Sequence, residues 1–65
     1  MKSYSSREII KMLKQDGWDL KRTSGDHYQF KHPTKKGTVT VRHPVKTLNI
    51  KNIKSIAKQS GLKFS

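Results

Sequence analysis

The chain has no cysteine, only four acidic residues and no long apolar run, and each absence removes a class of protein. Without cysteine there is neither a disulfide framework nor a thiolate metal site, which fits a reducing compartment. No apolar stretch approaches the roughly 18 residues of a membrane span, and the N-terminus lacks the apolar core of a secretion signal. A cytoplasmic protein with no membrane association is expected. The three histidines, His27, His32 and His43, match no zinc spacing. A glycine-rich phosphate loop, a nucleophile elbow and paired catalytic carboxylates are missing too. Neither a metal nor a cofactor is expected.

What the chain does have is positive charge. Fifteen Lys and Arg residues against four Asp and Glu give a net charge of +11 and an isoelectric point near 10.4. Such an excess points to a polyanionic partner, of which nucleic acid is the commonest. Because the basic residues are spread over the whole sequence, a membrane surface fits less well. The 65 residues suffice for one domain, spanning 1–65, near the lower size limit for an unstapled core. No repeat, linker or low-complexity tract divides them.

The first helix is announced by a capping box, with Ser5 as N-cap and Glu8 three residues on. Tyr4 and Ile9 supply a hydrophobic staple, and Ile9, Ile10, Met12 and Leu13 an apolar face at helical spacing. Arg7, Lys11 and Lys14 form a basic stripe, and Gly17 suits the helix end. Three strands should follow. The first runs from Trp18 toward a turn at Ser24-Gly25-Asp26, and the second from His27 to His32, where Pro33 stops ladder bonding. A loop at Thr34 to Gly37 leads to the third, the β-branched run Thr38 to Val41, ended by His43-Pro44. Asn49 then caps a second helix, with a Leu48–Ile53 staple, an apolar face of Ile50, Ile53, Ile56 and Ala57, and a basic face of Lys51, Lys54 and Lys58. Gly61-Leu62 closes it.

The order α-β-β-β-α suggests an α+β fold, a three-stranded antiparallel sheet with both helices on one face. Alternation assigns Trp18, Leu20, Tyr28, Phe30, Val39 and Val41 to the covered face. Lys21, His27, Gln29, Lys31, Thr38, Thr40 and Arg42 fall on the other, a polar and cationic binding surface. A three-residue turn at Thr23 to Gly25 would set Lys21 opposite His27 and Leu20 opposite Tyr28. A four-residue loop at Pro33 to Lys36 would set Arg42 opposite His27 and Val39 opposite Phe30. His27 would then sit between two cations, which disfavour a third positive charge and favour the neutral imidazole a general base needs. They would also hold a phosphate beside it.

Each of these residues has a plainer reading. His27 alone is compatible with a surface histidine closing a turn. His32 and His43 lie on the opposite parity and read as packed or edge histidines bonded to local backbone. Trp18 and Tyr28 could stack bases, but their parity favours the core. The helical lysine stripes are either solvated faces or phosphate contacts.

Taken together, the capped first helix, Gly17-Trp18, the run Gly25-Asp26-His27-Tyr28-Gln29-Phe30-Lys31-His32-Pro33, Val39-Thr40-Val41, His43-Pro44 and the helix from Leu48 to Leu62 resemble the HicA (YcfA-like) toxins of prokaryotic toxin–antitoxin pairs. The resemblance spans nearly the whole chain. It implies a fold like the double-stranded-RNA-binding domain and cleavage of mRNA, with His27 matching the family's catalytic histidine. It also implies a HicB-like antitoxin that covers the active site, with a toxin monomeric alone and a higher-order complex with its partner. Arg42 departs from the pattern, since proline is expected there in many members. The combined expectation is a ribosome-independent endoribonuclease in which His27 is the base and Lys21, Lys31, Arg42, Gln29, Lys35 and Lys36 contact RNA. A non-catalytic RNA-binding module of the same fold, or a small DNA-binding protein, would share the charge without the chemistry.

Overall fold

The computed structural model describes residues 3–64. Helix α1 (Ser6–Gln15) is followed by strands β1 (Asp19–Ser24), β2 (His27–Lys31) and β3 (Val39–Arg42), then helix α2 (Ile50–Ser60). The strands pair antiparallel in the order β1-β2-β3. This is the expected α-β-β-β-α architecture.

Both helix starts follow their local chemistry. The Ser5 hydroxyl accepts from the Glu8 N–H at 3.1 Å, and the Glu8 carboxylate accepts from the Ser5 N–H at 3.0 Å. Asn49 caps α2 through the Asn52 N–H at 2.9 Å. Such caps satisfy N–H groups that would otherwise lack a helical partner.

Ile9 and Leu13 from α1 and Ile53 and Ile56 from α2 meet Trp18, Phe30, Val39 and Val41 in one core. Burying each of these larger side chains contributes about 1.5–3 kcal/mol. Two residues assigned to that core stand outside it. Leu20 is 42 % exposed and Ile50 is 47 % exposed. Leu20 lies on the outer strand β1, beyond the cover of either helix, while Ile50 opens α2 one turn before Ile53 reaches the core.

The second and third strands keep the expected register, with His27 opposite Arg42 and Phe30 opposite Val39. The first hairpin does not. Its loop is only Gly25-Asp26, so that Ser24 pairs with His27 and Thr23 with Tyr28. Gly25 has φ 59° while Asp26 avoids positive φ, the pattern of a type II′ turn. A glycine-first, two-residue loop of this kind matches the twist of its flanking strands. A bulge between Leu20 and Arg22 then absorbs one residue, and Leu20 regains the side of Phe30. Lys21 is the residue taken up, and it is not opposite His27 because the two-residue turn already gives that place to Ser24.

Candidate active site

The site is built from the first hairpin turn outward. Because directly paired residues share a sheet face, His27 lies between Ser24 and Arg42, and Gln29 between Arg22 and Thr40. Arg22 thus occupies the cationic row that Lys21 was expected to fill. Phe30, Val39 and Val41 on the opposite parity anchor the strands from beneath.

Asp26 joins the two charged side chains. Its carboxylate accepts from Arg42 Nε at 2.9 Å and stands 3.6 Å from His27 Nε2. The hydrogen bond from Arg42 holds the Asp26 carboxyl below its ordinary value, so it is ionised at neutral pH. The carboxylate therefore offsets the flanking cations at His27, an opposing charge that sequence reasoning did not include. The backbone helps fix it, since the Asp26 carbonyl accepts from the His43 N–H at 2.8 Å. All three side chains remain substantially open to solvent.

Helix α2 supplies a wall. A cleft of about 270 Å³ is lined by His27, Thr40 and Arg42 from the sheet and by Asn52, Ser55 and Ile56 from the helix. Near the start of β3 the Gln59 side chain accepts from the Thr40 N–H at 3.4 Å and ties α2 to the strand edge.

The other basic residues named for RNA contact are not gathered here. Lys31 ends β2, four residues from His27, about 13 Å away at ordinary strand rise. Lys35 and Lys36 lie in the loop beyond it and are exposed. Lys35 is engaged elsewhere: its ammonium bonds the Asp16 carboxylate at 2.6 Å and the Ser60 carbonyl at 3.1 Å. Lys31 and Lys36 are exposed cations at a distance, able to meet a polyanion that extends past the cleft.

His32 and His43 are packed, as their parity suggested. His32 Nδ1 accepts from the Thr34 and Lys35 N–H groups, each at 3.1 Å. The proton is therefore on Nε2, which donates to the Asp16 carbonyl at 2.7 Å. His43 stacks edge-on against Tyr28 at 4.9 Å, and its Nδ1 meets the Ser6 hydroxyl at 2.7 Å. Trp18 is fully buried and has no face to offer a base. Among the described residues, no three histidine, aspartate or glutamate side chains gather as metal ligands.

Sequence reasoning missed Arg22, Asp26, Asn52 and Ser55. The Gly-Asp dipeptide carried a signal for Asp26, because it is itself a two-residue hairpin loop. Arg22 required the two-residue length of the first hairpin loop, and Asn52 and Ser55 required the docking of α2.

Fold and site define a small, strongly basic α+β domain that presents one exposed histidine, with a carboxylate and an arginine, at the mouth of a polar cleft. The sequence model of the HicA toxin of bacterial toxin–antitoxin systems matches residues 6–62, and the chain belongs to that family. It is thus the toxin of a toxin–antitoxin system, whose partner is an antitoxin. A search of the curated proteins finds no match. No helix of the described residues is long and apolar enough to cross a membrane.

Proposed function

We propose that this toxin is a metal-independent endoribonuclease that cleaves mRNA with His27 as general base. The observation that carries the reading is the exposed imidazole held directly across the sheet from Arg42. RNA brings its own nucleophile. His27 takes the proton of a 2′-hydroxyl, the 2′-oxygen attacks the adjacent phosphorus, and the bond to the 5′-oxygen breaks. General-base help of this kind is worth about 10² to 10⁴ in rate. Arg42 and Arg22 bind the phosphate and oppose the charge that builds on it, and Asp26 stabilises the imidazolium that His27 becomes. Arg42 does not surrender a proton at neutral pH and Asp26 is ionised, so the departing 5′-oxygen takes its proton from water. The products are a 2′,3′-cyclic phosphate and a 5′-hydroxyl.

Gln29 and Lys31 along β2, and Lys36 in the loop beyond it, follow the RNA backbone away from the cut. A HicB-like antitoxin inhibits by covering His27 and Arg42, which excludes RNA without altering the toxin's fold.

Purified parent and His27→Ala protein, incubated with RNA in EDTA, test the reading. The parent is expected to cleave and to leave cyclic-phosphate ends. The variant is expected to keep its circular dichroism and RNA affinity but lose cleavage. Full activity in the folded variant removes His27 from the mechanism. A parent that binds RNA without shortening it is instead a non-catalytic RNA-binding module.

A further inference from the structure

The cleft beside His27 has two walls of different chemistry. The sheet wall is charged, through Arg42, whose guanidinium Asp26 holds from outside the cleft. The α2 wall is not: Asn52 and Ser55 stand there although the same helix carries Lys51, Lys54 and Lys58. Asn52, Ser55 and Gln59 recur at helical spacing and form an uncharged polar stripe along the side facing β3. Gln59 fixes the direction of that stripe by meeting the Thr40 N–H. From Thr40 to Arg42 the strand advances about 6.6 Å, and from Gln59 back to Ser55 the helix retreats about 6 Å. These matched advances agree with Ser55 and Arg42 lining the same cleft, with Asn52 one turn earlier on the helix beside them.

Gln59 is occupied in closing the strand edge, whereas Asn52 and Ser55 border open cleft. The Asn52 backbone N–H is spent on the Asn49 cap, while its side-chain amide is tied to no other described residue. Amides and hydroxyls are poor phosphate clamps compared with arginine, but they pair with base edges and ribose hydroxyls. The cleft volume lies just below the roughly 300–1,000 Å³ of drug-sized pockets, which suits one nucleoside rather than a longer segment.

Resting on the endoribonuclease reading above, we propose that Asn52 and Ser55 form the nucleoside-reading wall of the site. They hydrogen-bond the base or ribose of the nucleotide beside the scissile phosphate while Arg42 holds that phosphate. Cleavage preference at this one position is therefore set by α2, a helix that contributes nothing to the proton transfer.

The test compares cut-site profiles on a random-sequence RNA pool for the parent, Asn52→Ala, Ser55→Ala and Asn52→Asp, with Lys58→Ala as a control for lost charge. Ser55 is exposed and Asn52 half-buried at the cleft, neither in the core, and both alanine variants are expected to fold like the parent by circular dichroism. Each is expected to lower kcat/KM by about 3- to 10-fold, the worth of one hydrogen bond between neutral groups, chiefly through KM. Each is also expected to flatten the nucleotide preference next to the cut. Asn52→Asp keeps the shape and removes the amide donors, so its preferred nucleotide should change. Lys58→Ala should leave the profile as it is. A parent that cuts RNA together with Asn52 and Ser55 variants whose profiles and KM are unchanged overturns the proposal alone. A parent that does not cut RNA overturns the endoribonuclease reading first, and this proposal with it.

Discussion

At Asp26 one carboxylate serves two positively inclined side chains, and magnitudes separate their roles. Its contacts with Arg42 and His27 are solvent-exposed, and water screens such pairs so strongly that each contributes little. Asp26→Asn is therefore expected to slow RNA cleavage by no more than about fivefold, whereas His27→Ala is expected to abolish it. Initial rates on one RNA substrate separate the two. A loss from Asp26→Asn as deep as that from His27→Ala would make the carboxylate an obligatory partner of the imidazole. Asp26 was legible beside His27 all along, but reading the turn one residue too long hid it. The choice between two and three loop residues moved Lys21 out of the site and brought Arg22 in, because each strand step reverses the face.

At the scale of elements, the loop from His32 to Lys35 clamps the two helices. Lys35 bonds Asp16 at the end of α1 and the Ser60 carbonyl at the end of α2. His32 lies so close to Gly17 that a Cβ there would come within 2.9 Å of its Nε2, at a φ of 101°. This explains why a glycine follows α1 beyond merely ending it. Hydrogen bonding from Lys35 holds the Asp16 carboxyl below its ordinary 3.8, and Arg42 does the same for Asp26. A carboxyl depressed in the folded state stabilises the fold fully above its unfolded value, and that contribution is lost as pH falls through the folded one. Melting temperatures are therefore expected to fall below pH 3.8. Asp16→Asn should melt lower at neutral pH and show a shallower acid decline. An acid decline identical to that of the parent would exclude Asp16 as a contributor. The helices, their caps and the β2–β3 register could be read in advance because each depends on residues near in sequence. The bulge and the docking of α2 depend on tertiary contacts, which local pattern does not encode.

Over the whole molecule, the +11 charge acts at longer range than the cleft. Contacts to phosphates release counterions, and single-stranded RNA loses affinity with a log–log salt slope of about −0.7 per phosphate. For about four to six phosphates met along the sheet, the slope should lie near −3 to −4. Titrating a cleavage-resistant RNA with the toxin across salt concentrations measures it. A flat dependence would mean that the basic surface does not carry the RNA. The same charge is expected to speed encounter with an antitoxin that carries an acidic surface, although affinity still depends on buried anchors.

The bulge in β1 matters in a second way. An uncovered sheet edge is a template onto which another copy can add a strand. Here β3 is shielded by α2 through Gln59, leaving β1, whose six residues are all exposed, as the bare margin. The bulge interrupts its ladder, and Lys21 and Arg22 place two positive charges beside the interruption. Two toxins approaching margin to margin would meet mismatched hydrogen-bond spacing and four facing cations. The residue that the fold withdrew from the site thus guards the molecule against polymerising with itself.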